Sequence, residues 1–269
     1  MSSKGIEPPK NDAGRYYHID CGPGDIHPYI LTCGHPDRAV KIASFFDRVT
    51  VTRKNREFCT FTGYYREIPV TVMGTGIGPD NTAITVVEAS QCVVPATFIR
   101  IGSCGSVQDD VAIGDLVITE RALRDENTSH YYAPPTVEAV ADREIVSALA
   151  RAAASLNYPY HVGLTCTTSD FYAGQGWHVR GFSSTDPKKI ERLRAAGVLN
   201  VEMEMSVYLT LAAISSWKLR SGGVTAVYDS ITDRRFASKD VLAKAEMRCI
   251  QVGLRAVEIV YSMDREKGR

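Results

Sequence analysis

Three arginines near glycine-rich turns are the residues best suited to hold an anion. Arg100 lies inside an otherwise apolar segment, directly before residues 102–105 (Gly-Ser-Cys-Gly). A buried guanidinium costs free energy unless it meets an anion, because an isolated charge loses its hydration. Arg38 follows a turn after another apolar segment, and Arg56 is a third candidate. Guanidinium groups and the Ser103 hydroxyl suit an oxyanion such as phosphate. Ion pairing within the chain is the alternative.

Two further clusters are suited to a sugar and a planar ring. Glu202 and Glu204 flank Met203, so that a carboxylate can accept hydrogen bonds from sugar hydroxyls while the methionine packs on the sugar. The alternative is a solvated first turn of a helix, where negative charge is favoured. Phe171 can stack on a ring, and Gln175 offers both a donor and an acceptor to its edge. A solvated aromatic turn is the alternative there.

A glycine-rich turn at residues 74–78 opens a predicted helix. Free backbone N–H groups at such a position can bind an anion or a closely placed ligand. A dinucleotide loop fits poorly, because the third glycine comes one residue early and the next strand carries Arg100 instead of an acid that would bind ribose.

Apolar runs and helical spacing alternate along the chain and predict an α/β fold with a single domain and a central mixed β-sheet flanked by helices. Asp80 or Asn81 is predicted to cap the second helix, Ser238 to cap the last one, and Gly63 to lie in a turn. The predicted strands are 29–33, 56–61, 68–73, 97–101, 115–119, 161–168, 198–201 and 223–228, and the predicted helices are 37–46, 80–91, 137–156, 202–215 and one that starts after 238.

The composition excludes several classes of protein. The 269 residues carry 31 Lys+Arg and 31 Asp+Glu, so the basic excess that nucleic-acid binding requires is absent. No apolar run approaches the roughly 20 residues that span a bilayer, and no membrane association is expected. Residues 1–14 are polar and predict a flexible N-terminal lead-in before a single domain at 15–269.

The seven cysteines are scattered and contain no C-x-x-C pair, which favours free thiols in a reducing cytoplasm over a disulfide scaffold or a zinc ribbon. The six histidines include no H-E-x-x-H motif, so a zinc hydrolase is not expected.

Five motifs stand out along the chain: residues 34–38 (GHPDR), 74–78 (GTGIG), 100–105 (RIGSCG), 171–175 (FYAGQ) and 202–204 (EME). They occur in the order seen in nucleoside phosphorylases of the NP-I superfamily, and within it the chain most resembles uridine phosphorylases. The resemblance runs from about residue 18 to the last helix. It implies reversible phosphorolysis, in which uridine, and by extension deoxyuridine, reacts with phosphate to give uracil and (deoxy)ribose 1-phosphate in nucleoside salvage.

The same resemblance implies a role for each matching residue. Arg100, Glu204 and Gln175 would carry catalysis, with inorganic phosphate as co-substrate and no required cofactor. Phosphate would be held by Gly34, Arg38, Arg56, Arg100 and Ser103; ribose by His18, Met203 and Glu204; and the base by Phe171, Gln175, Arg180 and Glu202.

The resemblance also implies a homo-oligomer, at least a homodimer, with sites shared between subunits. Arg56 and His18 would reach into a neighbouring subunit's site. Glu57, with oxygens near Ile77 and Asn81, would hold a structural cation at the dimer interface.

Two departures from the family pattern leave alternatives open. Trp177 stands where uridine phosphorylases place an arginine that binds the uracil, and Arg180, Arg234 or Arg235 would have to replace it. Asp229 resembles an acid of the purine branch, so a purine nucleoside phosphorylase with Asp229 as general acid is the second hypothesis. A nucleosidase that uses water, or a nucleoside-binding relative without catalysis, fits the three arginines and Glu204 less well.

Overall fold

The computed structural model describes residues 5–269, and an 11-stranded mixed sheet runs through this part of the chain. The strand order is β11-β10-β6-β8-β9-β5-β1-β4-β3-β2, with β7 beside β6. Because β10 also pairs with β5, the strands β5, β10, β6, β8 and β9 close into a ring. The strands are β1 Tyr29–Cys33, β2 Arg48–Asn55, β3 Phe58–Tyr65, β4 Ile68–Gly74, β5 Ala96–Ser106, β6 Leu116–Asp125, β7 Ala139–Val140, β8 Tyr160–Thr168, β9 Val198–Glu202, β10 Leu219–Ser230 and β11 Arg235–Phe236.

Helices cover both faces of this sheet, which confirms the predicted fold class. One apolar core joins α1, α3 and α6 to the sheet, and a second core joins α2 and α5 to its other face. None of the helices in residues 5–269 combines the length and the apolar character needed to cross a membrane. The helices are α1 Pro36–Ala43, α2 Pro79–Cys92, α3 Arg143–Ser155, α4 Lys189–Ala195, α5 Met205–Ile214 and α6 Lys239–Glu266.

Local sequence explains where several helices begin. His35 caps α1 by accepting from the Asp37 N–H, and Pro36 follows at the first helical position, where its fixed φ is favourable. Asp142 caps α3, and Ser238 caps α6 as predicted. The predicted capping of α2 by Asp80 or Asn81 is wrong, because Gly78 occupies the cap position without a side-chain hydrogen bond.

The structure corrects two predictions that rested on glycine. Gly63 lies inside β3 and not in a turn, because it faces an irregularity in β2 where a Cβ would come within 2.0 Å of the Arg48 carbonyl oxygen. Residues 102–105 do not stop the fifth strand, which runs on to Ser106 because β10 pairs with it along that stretch. Arg56 lies in the β2–β3 turn with φ +51° instead of in a strand.

Several predicted boundaries shift for similar reasons. The predicted helix 137–156 begins only at Arg143, because Ala139 and Val140 pair with β6. The helix predicted from residue 202 begins at Met205, since Glu202 still belongs to β9. Residues 1–4 of the predicted lead-in lie outside the described residues, while Tyr16 Oη donates to Glu7 Oε1 at 2.9 Å. The division into 1–14 and 15–269 stays a prediction.

Candidate active site

A cavity of about 650 Å³ opens where several strands end, which is where ligands collect in open α/β sheets. It contains most of the residues singled out from the sequence, although they come from distant parts of the chain. Those lining it are Gly34, Arg38, Arg100, Ser103, Phe171, Gln175, Glu202, Met203 and Glu204, together with Glu57, Ile77 and Asn81.

Arg100 is the charged centre of this cavity and is only 4% exposed. Its Nε donates to Glu202 Oε2 at 3.1 Å, and its Nη2 forms an ion pair with Glu204 Oε2. Burial alone would disfavour the cation, but Glu204 and Glu202 outweigh this effect, so the pKa of Arg100 lies above its ordinary value. A Cβ on Gly102 would lie 2.8 Å from the Arg100 guanidinium carbon, so the glycine leaves room for the side chain.

Glu202 connects Arg100 to the start of α5. Its Oε2 also accepts from the N–H of Glu204 at 2.9 Å, while Oε1 accepts from Thr167 Oγ1 at 2.5 Å and from the N–H of Met205 at 3.0 Å. Burial raises the pKa of Glu202, and the adjacent Arg100 opposes that rise. With both oxygens occupied, this carboxylate fixes Arg100 and the start of α5; its predicted contact with the base stays a prediction.

Glu204 connects the cavity to the glycine-rich turn before α2. Its Oε1 accepts from the Gly78 N–H at 2.7 Å. A Cβ on Gly34 would lie 3.2 Å from the Gly76 oxygen and 3.9 Å from Glu204 Oε1. The turns after β1 and β4 therefore meet beside this carboxylate, and the absence of a Cβ at Gly34 eases their close approach.

Arg38 is fixed by three hydrogen bonds. Its Nε donates to Glu246 Oε1 at 2.9 Å, its Nη1 to the Ile101 carbonyl at 3.1 Å and its Nη2 to Tyr228 Oη at 3.1 Å. The side chain is buried and lines the cavity. No local pattern identifies Tyr228 as a support for Arg38, because the two residues are 190 positions apart.

Aromatic rings and one amide also contribute to the cavity lining. Gln175 is 3% exposed, and Phe171 is 41% exposed. Trp177 stacks on Phe236 with the ring centroids 5.6 Å apart and the planes at 29°, and Phe236 lines the cavity. Phe236 was missed in the sequence because pairing between β10 and β11 places it there. Arg180, Arg234 and Arg235 are exposed and are not among the residues that line this cavity, so a contact of any of them with the base stays a prediction.

Asp229 reaches the cavity from β10 and is 4% exposed. Its Oδ2 has no hydrogen-bond partner within residues 5–269. Burial raises the pKa of Asp229 to about 6. A carboxyl group in this state can donate a proton or a hydrogen bond to a ligand.

His18 and Arg56 share Tyr17 as a common contact. Arg56 Nη2 donates to Tyr17 Oη at 3.0 Å, and the Tyr17 and His18 rings meet edge to face with centroids 5.0 Å apart. Neither residue lines the cavity of its own chain.

Glu57 and Asn81 converge on Gly76, where a Cβ would lie 3.1 Å from Glu57 Cγ and 2.5 Å from Asn81 Nδ2. Asn81 Nδ2 points toward the Ile77 carbonyl at 3.5 Å. A carboxylate, a carbonyl and an amide are donors that a hard cation accepts. The predicted cation stays a prediction.

These features define an α/β enzyme site with cationic and hydroxyl groups for an oxyanion, a carboxylate for a polyol, and aromatic and amide groups for a planar ring. The comparisons agree with that class. The family model described as "Phosphorylase superfamily" matches residues 28–258, and the chain belongs to this superfamily.

Relatives with assigned activities extend the comparison. Uridine phosphorylase of Thermococcus kodakarensis is 40% identical over 98% of this chain and 93% of its own length. That of Escherichia coli is 33% identical over 89% of this chain and 96% of its own length. A guanosine phosphorylase of Halorubrum lacusprofundi is 30% identical over 78% of this chain and 81% of its own length.

Solved structures support the fold. A structure from work on two uridine phosphorylases of Phytophthora capsici superposes with a TM-score of 0.81 at 22% identity, covering 91% of this chain and 95% of its own. A uridine phosphorylase of Vibrio fischeri superposes with a TM-score of 0.79 at 24% identity, covering 92% of this chain and 97% of its own.

Proposed function

We propose that the chain is a pentosyltransferase that catalyses the reversible phosphorolysis of uridine to uracil and ribose 1-phosphate. The observation that carries the proposal is the buried pair of Arg100 and Glu204, which places a cation and a carboxylate in the cavity that also contains Gln175 and Phe171. The strong similarity to uridine phosphorylases supports the choice of substrate.

Different residues of the cavity would then bind the phosphate, the ribose and the base. Arg38, Arg100, Ser103 and the N–H of Gly34 would hold phosphate, and Glu204 would accept from the ribose hydroxyls with Met203 against the ring. As the glycosidic bond breaks, positive charge develops on the ribose and negative charge on the base. The bound phosphate stabilises the first and attacks C1′, while the Gln175 amide donates to the leaving base. No side-chain nucleophile is required.

The direct test follows cleavage of uridine and of inosine by ultraviolet absorbance, each with and without phosphate. Uridine cleavage that requires phosphate is the expected result. Cleavage without phosphate would mean that water is the nucleophile.

Arg100→Lys should lose most activity, because lysine lacks the planar fork that binds both carboxylates. Arg121→Lys, on an exposed side chain of β6, is the matched control and should retain it.

A second candidate activity is the phosphorolysis of purine nucleosides. The unpartnered Oδ2 of Asp229 favours it, since a protonated carboxyl can donate to a leaving purine. The similarity to a guanosine phosphorylase agrees with this reading. Inosine cleavage that is lost in Asp229→Asn, with uridine inert, would replace the first proposal by the second.

The active unit would be a homo-oligomer in which two subunits share each site. His18 and Arg56 both contact Tyr17 but do not line the cavity of their own chain, which supports a role in a neighbour's site. A complementation test is available: Glu204→Gln and the double variant His18→Ala/Arg56→Ala, each inactive alone, should recover activity when the subunits are mixed and exchanged. Absence of recovery in verified mixed oligomers would contradict shared sites.

A structural cation at the interface between the two subunits, held by Glu57, Ile77 and Asn81, is part of the same proposal. The seven free, buried cysteines support a reducing compartment, the cytoplasm, where the enzyme would serve pyrimidine salvage.

A further inference from the structure

His18 forms a short hydrogen bond with a buried carboxylate on a different element. Its Nδ1 lies 2.6 Å from Glu88 Oε1, and Glu88 belongs to α2 and is 3% exposed. The two residues are 70 positions apart, so the fold alone creates this contact.

The same carboxylate also fixes the main chain that carries the histidine. Glu88 Oε2 accepts from the N–H of His18 and from the N–H of Ile19, both at 3.0 Å. Asn55 Nδ2 donates to the carbonyls of Tyr17 at 3.0 Å and His18 at 2.9 Å. The backbone of this segment is therefore held from two sides.

Packing restrains the imidazole ring itself. Tyr17 meets it edge to face, and the Phe58 ring lies with its centroid 6.4 Å away at 69°. The His18 side chain is 27% exposed, and its Nε2 makes no hydrogen bond to the described part of the chain, residues 5–269. An ionised carboxylate only accepts, so Nδ1 carries the hydrogen in this contact and Nε2 is left free to bind a ligand.

We infer that Glu88 is a positioning residue, which holds His18 with Nδ1 protonated so that Nε2 meets the 5′-hydroxyl of a nucleoside in the cavity of a second copy of this chain. The inference rests on the proposed function, because only that proposal brings His18 to another subunit's nucleoside. In Glu88→Gln an amide replaces the carboxylate. Its carbonyl oxygen can still accept from the backbone N–H groups, while its NH₂ faces Nδ1 and favours the opposite tautomer.

The test compares uridine with 5′-deoxyuridine, which lacks only the group that His18 would contact. Glu88→Gln should raise the KM for uridine about five- to tenfold, the effect of losing one ordinary hydrogen bond, and should leave the KM for 5′-deoxyuridine and the phosphate KM unchanged. Glu258→Gln is the matched control, since this α6 carboxylate accepts from Tyr65 Oη at 3.0 Å away from the cavity. Equal losses for both nucleosides would overturn the inference while the proposed function stood.

Nitrogen-15 NMR of the histidine rings tests the contact without any turnover. The His18 signals, assigned with His18→Gln, should report a protonated Nδ1 in the wild-type protein and the reversed tautomer in Glu88→Gln. A neutral wild-type ring protonated only at Nε2 would overturn the inference even if the variant failed to fold. A protein that shows the expected tautomer but cleaves no uridine would instead contradict the proposed function.

Discussion

Arg100 and Glu202 form an ion pair that is almost completely removed from solvent, with side chains 5% and 0% exposed and Nε 3.1 Å from Oε2. Glu202 at the same time accepts from the backbone N–H groups of Glu204 and Met205. The position of the cation and the position of the next carboxylate, Glu204, are therefore set by one side chain. A substrate that needs both groups meets them at a fixed separation.

Glu202→Gln should damage both stability and phosphate binding. The amide replaces an acceptor oxygen by a donor that faces N–H groups, and it leaves Arg100 short of one counter-charge. Breaking a buried pair in this way costs about 3–5 kcal/mol in the free energy of unfolding. Urea unfolding at fixed protein concentration measures it, and initial rates at varied phosphate should show a raised KM. A stable variant with an unchanged phosphate KM would contradict this assignment; Glu258→Gln is the control.

Tyr228→Phe should weaken phosphate binding without changing uridine binding. The hydroxyl supports Arg38 Nη2 at 3.1 Å, and its loss leaves the guanidinium with two hydrogen bonds inside the protein. We expect the phosphate KM to rise about fivefold, the equivalent of roughly 1 kcal/mol. Tyr158→Phe removes a comparable hydroxyl that donates to Gln251, and it should leave both KM values at the wild-type level. A larger rise in the uridine KM than in the phosphate KM would contradict the assignment of Tyr228 to phosphate binding.

Phe236→Ala should affect the nucleoside and not the phosphate. The ring lines the cavity and stacks on Trp177, so its removal opens the cavity wall beside Trp177. A contact between the Phe236 ring and the uracil would contribute about 0.5–1.5 kcal/mol beyond the buried area, and its loss predicts a rise of roughly two- to tenfold in the uridine KM. Phe182→Ala is a suitable control, because Phe182 is 78% exposed and does not line the cavity. An unchanged uridine KM would show that the stack is not part of the nucleoside site.

The sequence predicted the strands well where the signal is local. The apolar run 29–33 is the observed β1, and the strand predicted at 161–168 differs from β8 by one residue, because such runs end at turn residues that the chain itself supplies. Arg100 and Glu204 can also be predicted as site residues from the sequence, because a charge in an apolar strand and paired acids beside a methionine differ from their neighbours.

The errors arose where distant parts of the chain decide the outcome. The sequence pattern predicts a turn at Gly63. The residue instead lies in β3, where its missing Cβ accommodates the Arg48 carbonyl of the adjacent strand. Tyr228 and Phe236 acquire their places from pairing of β10 with β5 and β11, and Glu88 meets His18 only after α2 packs on the sheet. Local patterns contain no information about these contacts.

Asp229 should make the stability of the protein fall as the pH rises. In the unfolded chain its carboxyl titrates near 3.8, whereas burial raises the pKa of Asp229 to about 6 in the folded protein. Between these values the folded state keeps a proton that the unfolded state releases. The stabilisation from this group is therefore fully present below pH 3.8 and is lost as the pH rises through about 6. A shift of this size corresponds to about 3 kcal/mol.

Asp229→Asn mimics the neutral carboxyl at every pH and should remove this dependence. Urea unfolding of both proteins without phosphate should show a small advantage of the variant at pH 4.5 and a larger one at pH 7.5. Asp109→Asn is the control, because the hydrogen bond and charge of Arg194 lower the pKa of that exposed carboxyl and its replacement brings no gain at pH 7.5. If Asp229→Asn instead lost stability as the pH rose, the carboxylate would have a cationic partner and could not serve as a proton donor in the cavity.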